Sequence, residues 1–193
     1  IESLQSDIDK GLYHSLAGHP ALPKGEYQLS HNTKERGVYT FCMCPGGNVV
    51  AAASEEDTVV VNGMSYHARN GRNANSALVV SVTPEDFGGD FTKAVEFQRQ
   101  LERKAFEMGG RNYKAPCQTV DRFLQNKAGM NVGRVEPTYP IGVTECNMAD
   151  LFPQFITDSL RGAMPALNRK LNGFAAADSV ITGVETRTSS PVR

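Results

Sequence analysis

Short apolar runs separated by turn residues fill the first half of the chain and predict β-strands. Five runs show this pattern, at residues 26–33, 38–44, 48–54, 58–61 and 77–82. The sequence Pro-Gly-Gly-Asn at 45–48 lies between two of them and is typical of a hairpin connection. Residues 1–25 are rich in turn formers, and the polar residues at 69–76 predict a loop.

After residue 90 the apolar positions recur with a helical period. The first helical segment runs from Phe91 to Met108, with Asp90 placed for an N-cap and Gly109 for the stop. A shorter segment at about 119–127 predicts a second helix. Residues 128–146 contain several glycines and prolines, and they predict a loop.

The longest apolar stripe predicts a third helix. Its members are Phe152, Phe155, Ile156, Leu160, Met164, Leu167 and Leu171. Pro153 suits the start of this helix, Pro165 predicts a kink or a break, and Gly173 suits the C-terminal cap. Residues 179–187 then predict a final strand that returns to the sheet built by residues 26–82.

The order of strands, then helices, then a strand predicts an α+β fold. We expect an antiparallel sheet or a small β-barrel-like unit with a helical insertion, closed by a C-terminal strand. The β part covers about residues 26–85 and 178–187, and the helical part about 90–174, in one domain of residues 1–193. The chain starts at Ile1 and stops directly after a strand-like run, so we expect a piece of a longer protein.

Charge and composition narrow the classes of partner. The chain has 20 Lys and Arg against 21 Asp and Glu, a net charge of −1, and so lacks the basic excess that nucleic-acid binding requires. No apolar run approaches the roughly 20 residues that span a bilayer. Four cysteines are too few for a disulfide scaffold, which predicts a reducing, cytoplasmic setting. We therefore expect neither a nucleic-acid nor a membrane partner.

Two segments contain candidate ligand-binding residues. Cys42 and Cys44 are either buried side chains of a strand, the favoured interpretation, or one of them ends a strand beside a substrate pocket. The glycines of the turn that follows would let a planar ligand approach the backbone. Residues 70–76 form either a solvated loop or a polar wall for an anionic or carbonyl-rich ligand, with Arg72 binding a carboxylate. The chain carries no dinucleotide or P-loop fingerprint, and its histidines show no metal-ligand spacing.

Three longer strings are more specific than these patterns. They read FCMCPGGNVVAA at 41–52, NGMSYHAR with NANSALVV at 62–80, and TGVETRTSSPVR at 182–193. Together they resemble a bacterial family of uncharacterised FAD-dependent dehydrogenases, also called NAD(FAD)-utilising dehydrogenases. The resemblance covers essentially the whole chain. It implies a flavoprotein oxidoreductase as the parent, in which this chain is an inserted cap or substrate domain that covers the flavin.

The resemblance also implies that both FAD-binding parts lie outside the chain. FAD would then be bound by the parent and not by this chain alone, which we expect to be inactive. The expected partners are the FAD domain of the same parent chain and an unidentified small-molecule substrate.

The family-like strings are polar loops and strand ends, and this places the candidate site on them. We expect the following residues to face the substrate or the flavin: Cys44, Gly46, Gly47, Arg72, Asn73, Asn75, Thr186, Arg187 and Thr188. No catalytic residue and no metal ligand is assigned. The alternative is a non-enzymatic binding or protein-interaction module. A concave pocket lined by 42–48 and 69–76 would favour the cap domain, and an exposed apolar face on the third helix would favour the module.

Overall fold

The computed structural model describes residues 1–33 and 36–187, and within them the chain forms nine strands and five α-helices. The strands are β1 (Glu2–Leu4), β2 (Ser30–Asn32), β3 (Gly37–Cys44), β4 (Gly47–Ala51), β5 (Val61–Ser65), β6 (Asn73–Val80), β7 (Ala115–Thr119), β8 (Val143–Glu145) and β9 (Val180–Thr182). The helices are α1 (Gln5–Tyr13), α2 (Pro84–Phe87), α3 (Phe91–Met108), α4 (Val120–Leu124) and α5 (Gln154–Lys170). Two short 3-10 helices lie at His14–Leu16 and Met148–Asp150.

Seven strands form one open sheet in the order β2-β3-β6-β1-β9-β7-β8. Every pairing in it is antiparallel except the β7–β8 pair, which is parallel. Strands β4 and β5 form a separate antiparallel ribbon. The predicted α+β fold with an antiparallel sheet is confirmed, and the described residues form no closed barrel.

The last strand returns to the main sheet as predicted, where β9 pairs with β1 and β7. Three strands of this half of the sheet were not expected. Strand β1 lies in the segment predicted to be turns, β8 in the segment predicted to be a loop, and β7 between the first two predicted helices. Two of them are only three residues long, and β7 is buried at all five positions. Such strands show no alternation, so periodicity does not reveal them. Helix α1, in the same turn-rich segment as β1, was missed as well.

The predicted hairpin at 45–48 is wrong, because β4 pairs with β5 and not with β3. Strand β3 shifts register between Phe41 and Cys44, and Gly46 then turns the chain with a φ of +52°. The predicted loop at 69–76 ends early, since residues 73–76 belong to β6. This strand pairs with β1 on one side and β3 on the other, so sheet pairing outweighs the turn preference of asparagine.

The two long helices follow the sequence closely. Helix α3 begins after Asp90, whose Oδ1 accepts a hydrogen bond from the Thr92 amide at 2.8 Å, and it ends at Gly109. Helix α5 begins after Pro153 and is not broken at Pro165. Its apolar stripe is buried in the core on both sides of that proline, and this packing holds the helix together. Helix α5 ends at Lys170 and is capped by Leu171, so the predicted cap at Gly173, which has a φ of +95°, is wrong.

Candidate functional site

A cavity of about 490 Å³ lies between the main sheet and helices α2, α3 and α5. Most of its wall is apolar, and it includes Tyr39, Phe41, Leu78, Val80, Phe87, Phe97, Phe152, Ile156 and Leu160. Tyr39 and Phe41 alternate along β3 with the buried Val38 and Thr40, so the pleat turns both aromatic side chains to one face. A volume of this size suits a small-molecule ligand.

The last described residues of the chain complete the cavity. Residues 183–187, the C-terminal tail, line it after leaving β9. The tail is held to β5 by a hydrogen bond from the Val61 amide to the Val184 carbonyl at 2.9 Å. Its far end is held by a buried carboxylate on α3, that of Glu102.

Glu102 is the centre of a hydrogen-bonded cluster at the cavity wall. Arg187 donates to both of its oxygens, at 3.0 and 2.6 Å, and the Thr186 hydroxyl and the Gln98 amide donate at 2.6 and 3.0 Å. Burial alone would raise the pKa of Glu102, but the hydrogen bonds from these three residues hold that pKa below its ordinary value. Arg187 also donates to the Ser54 hydroxyl at 2.6 Å, so each of its three guanidinium nitrogens makes a hydrogen bond.

Three polar groups of the cavity wall lack such partners. The Asn75 Nδ2 and the Thr182 Oγ1 are buried without a hydrogen-bond partner among the described residues. The Glu185 carboxylate has no hydrogen bond or ion pair within the same part of the chain. Burial raises the pKa of Glu185 above its ordinary value. The Asn75 and Thr182 atoms are closed off by the surrounding chain, so of these three groups the half-buried Glu185 carboxylate is the one open to a ligand.

Asn75 and Cys44 meet behind one point of this wall, at Gly63. A Cβ on Gly63 would overlap the Asn75 Oδ1 and would lie 3.2 Å from the Cys44 Sγ. Gly63 itself lines the cavity, and only a glycine leaves room for both side chains. Burial raises the pKa of the Cys44 thiol, and the nearby Glu185 carboxylate adds to that effect. The Asn75 amide and the Cys44 thiol therefore meet behind the cavity wall at Gly63.

Three of the residues predicted to face a ligand lie in the cavity wall: Asn75, Thr186 and Arg187. Cys44 lies behind Gly63, half-buried at the end of β3. Thr188 lies outside the described residues.

The other four predicted residues do not line the cavity. The Gly46 amide donates to the Gln5 Oε1 at 2.7 Å, and Gly47 packs against Met64. The exposed Arg72 pairs with Glu136 at 3.1 Å. The Asn73 Nδ2 donates to the Glu2 Oε2 at 3.0 Å and to the Glu136 carbonyl at 2.9 Å. Their role at a ligand stays a prediction.

The exposure of Cys42 and Cys44 contradicts the favoured interpretation that both are buried side chains of a strand. Cys42 is exposed and Cys44 is half-buried, so neither is a core side chain. The reason is the register shift of β3, at which Cys42 adopts a φ of +46°. Cys42 also lines a second, more polar pocket of about 390 Å³ with Tyr27 and Met43. Cys44 ends β3 behind the cavity wall, and its place beside a substrate stays a prediction.

The expected pocket would favour a cap domain, and an exposed apolar face on α5 would favour an interaction module. The cavity includes residues 75–76 of the polar segment but none of residues 42–48, so the expected pocket is only partly present. Helix α5 contributes none of the large exposed apolar side chains in the described part of the chain. The exposed apolar helix face that would favour an interaction module is therefore absent from α5.

Sequence patterns did not reveal Glu102, which holds the C-terminal tail, or Glu185, which lines the cavity. Glu102 had a visible signal, because it lies beside Leu101 and three residues before Ala105 on the apolar face of α3. A carboxylate at such a position needs a partner, and the cation nearest in space is 85 residues away along the chain. No pattern in the sequence connects those two positions.

Comparison with known proteins identifies the class. The chain matches the family described as "FAD-dependent protein, C-terminal domain-like" over residues 1–188, and it belongs to that family. It is also similar to an "Uncharacterized protein" of Clostridium beijerinckii (strain ATCC 51743 / NCIMB 8052), with 46% identity over 196 residues. The match covers 100% of this chain but only 37% of that relative. The resemblance to FAD-dependent proteins is thus confirmed, whereas the position of the domain between two FAD-binding parts stays a prediction.

Within the described residues, no helix combines the length and the apolar character needed to cross a membrane.

Proposed function

We propose that this chain is the cap and substrate-binding domain of an FAD-dependent oxidoreductase. Its cavity would bind an apolar substrate beside a flavin that the rest of the parent protein holds. The single observation that carries this proposal is the cavity itself, with its mostly apolar and partly aromatic wall. Family membership supplies the link to FAD.

The cavity offers what a flavin enzyme requires of its protein part. The flavin supplies the redox chemistry, and the protein orients the substrate and excludes water. Here the apolar side chains of the sheet, α3 and α5 exclude water, while the half-buried Glu185 is available to orient a polar group. The C-terminal tail forms part of the wall and is fixed by Glu102.

The residues present do not fit the diphosphate of FAD. The chain has no glycine-rich phosphate loop, and the Glu185 carboxylate that lines the cavity would repel a diphosphate. Arg187, which lines the cavity, is paired with the Glu102 carboxylate. The cavity therefore suits a substrate, and the FAD diphosphate would have to be bound by other parts of the parent.

The proposal is tested in the full-length parent. Purified protein should be yellow, and saturation with biphenyl, a neutral aromatic probe, should shift the visible absorption band of its flavin. Ala94→Trp should abolish that shift without loss of flavin, because Ala94 lines the cavity on α3. Lys104→Trp is the matched control, since Lys104 is exposed on the same helix and outside the cavity wall. A colourless parent, or a shift that survives Ala94→Trp, would overturn the proposal.

A further inference from the structure

A short segment at the surface forms one side of the cavity. Residues 82–89, the strap, contain helix α2 and join the end of β6 to the N-cap of α3 at Asp90. Asp86 and Phe87 are half-buried, and the other residues of the strap are exposed. The side chains of Val82 and Phe87 line the cavity. The strap therefore has the cavity on one side and solvent on the other.

In the described part of the chain, the backbone hydrogen bonds of the strap stay within the strap. The Asp86 amide donates to the Thr83 carbonyl at 3.0 Å, and the Gly89 amide donates to the Pro84 carbonyl at 2.7 Å. The Asp86 carboxylate also accepts from the Thr83 amide at 2.7 Å, which caps α2. The strap can therefore move as one body without losing these bonds.

Two consecutive glycines lie between α2 and α3. Gly88 and Gly89 have φ values of +86° and +78°. A Cβ on Gly89 would meet no atom within 4 Å, so this position lies in open space. Glycine has the widest choice of backbone angles, and a hinge consists of residues that absorb changes in those angles. The two glycines therefore have the properties of a hinge at one end of the strap.

An ion pair holds the strap to the rest of the domain. Arg36, which precedes β3, donates to both Asp86 oxygens at 2.7 and 2.5 Å, and the two side chains are only 17% and 10% exposed. The Arg36 guanidinium also lies 4.1 Å from the centre of the Phe155 ring on α5. A bidentate pair with so little exposure to water is stronger than an ordinary surface ion pair. Asp86 is thereby tied to β3 and α5, which form other parts of the cavity wall.

We propose that the strap is the gate of the cavity, which swings about Gly88 and Gly89 and is latched in the closed position by the Asp86–Arg36 pair. A ligand enters when the pair opens, and the pair forms again over the bound ligand. Val82 and Phe87 then exclude water from it. This inference rests on the proposed function, because a gate matters only if the cavity takes a ligand.

The rates of ligand exchange in the full-length parent test the gate. Biphenyl association and dissociation are followed by stopped-flow measurement of the visible flavin band. In Asp86→Asn we expect both rate constants to rise about tenfold, the effect of losing charge-assisted hydrogen bonds, while the Kd changes by less than about threefold. Both rates rise because the pair closes the empty cavity and the occupied one alike. The asparagine oxygen can still cap α2, so the helix is retained.

Glu85→Gln is the matched control. Glu85 precedes Asp86 on α2, is exposed and lies outside the cavity wall, so this variant should keep the wild-type rates. Circular dichroism of each variant checks that the fold is retained.

A second measurement reports the gate without a ligand. Leu160 is 5% exposed and lines the cavity from α5, so iodoacetamide reaches the thiol introduced by Leu160→Cys only through the open gate. Adding Asp86→Asn should speed the modification of this thiol about tenfold, and adding Glu85→Gln should leave it unchanged. Peptide mass spectrometry distinguishes the introduced thiol from the exposed Cys42.

The outcomes separate the two proposals. Unchanged rates in Asp86→Asn, or an equal effect of Glu85→Gln, would overturn the gate and leave the proposed function standing. A rise in the dissociation rate alone would also overturn the gate, because the strap would then only contribute contacts to the bound ligand. A colourless parent, or a flavin band that biphenyl does not shift, would overturn the proposed function and with it the gate.

Discussion

The guanidinium of Arg187 binds both oxygens of the buried Glu102 carboxylate, with donor–acceptor distances of 3.0 and 2.6 Å. Glu102 is fully buried on α3, whereas the Arg187 side chain is 32% exposed. The pair joins the end of the C-terminal tail to the helix on the other side of the cavity. The pair therefore fixes the C-terminal tail in the cavity wall and also neutralises the buried Glu102 carboxylate.

Removal of Arg187 should destabilise the chain markedly. In Arg187→Ala, the Glu102 carboxylate stays buried without its cation, so we expect a loss of about 2–4 kcal/mol in the free energy of unfolding. Urea denaturation followed by circular dichroism measures this change. Arg103→Ala is the matched control, because the Arg103–Glu96 pair on the same helix is about half exposed and should contribute at most about 1 kcal/mol. Equal losses in the two variants would contradict the assigned role.

The same Glu102 cluster should make the free energy of unfolding depend on pH in the acidic range. Because the pKa of Glu102 is lowered in the folded state, the unfolded chain binds this proton more readily. The stabilisation is therefore complete above the ordinary pKa of glutamate and is lost as the pH falls through the lower folded pKa. Glu102→Gln should unfold at lower urea than the wild type at pH 7, and the gap should shrink toward pH 3. A gap that stays constant over this range would show that the carboxylate charge is not the cause.

Sequence patterns predicted the long helices and missed the short strands for a physical reason. Helices α3 and α5 each bury one face, which leaves a periodic stripe, and Asp90 and Pro153 mark where they begin. Strand β7 is buried on both faces, so it shows no period. Strand β6 begins with asparagines that locally favour a turn, and its pairing with β1 and β3 overrides them.

The candidate site could be predicted only where polar residues stand out in the chain. Asn75 was found because it lies in a segment dense in amides, and Arg187 because it lies in a family-like string. The partner of Arg187 is 85 residues earlier, and the unpaired state of Glu185 depends on what surrounds it in space. Neither relationship has a local signature in the sequence.

Gly46 should be required for the backbone of the turn. Its φ is +52°, and a Cβ there would overlap the carbonyl oxygen of Arg69. That segment cannot move away easily, since the Gly71 amide donates to the Gly46 carbonyl at 3.1 Å. We expect Gly46→Ala to lower the free energy of unfolding by about 2–4 kcal/mol, the sum of left-handed strain and overlap.

Gly89→Ala separates those two causes, because Gly89 has a φ of +78° and no atom lies within 4 Å of the position that a Cβ would take. It should lose only about 1–2 kcal/mol, the strain alone. Similar losses at Gly46 and Gly89, measured by urea denaturation, would show that the overlap with Arg69 is relieved by local movement.

The four cysteines should differ in their reaction with iodoacetamide, because the thiolate is the reactive form and must also be reached. Cys42 is exposed, whereas burial raises the pKa of Cys117 to about 12 and that of Cys146 to about 11. At pH 8 we expect Cys42 to be modified first, with Cys117 and Cys146 modified only after unfolding, as peptide mass spectrometry would show. Partial burial raises the pKa of Cys42 most, and the Glu185 carboxylate raises it further. Glu185→Gln should therefore speed the modification of Cys42. An unchanged rate in that variant would mean that the Glu185 charge does not reach Cys42, and early modification of Cys117 would contradict its burial.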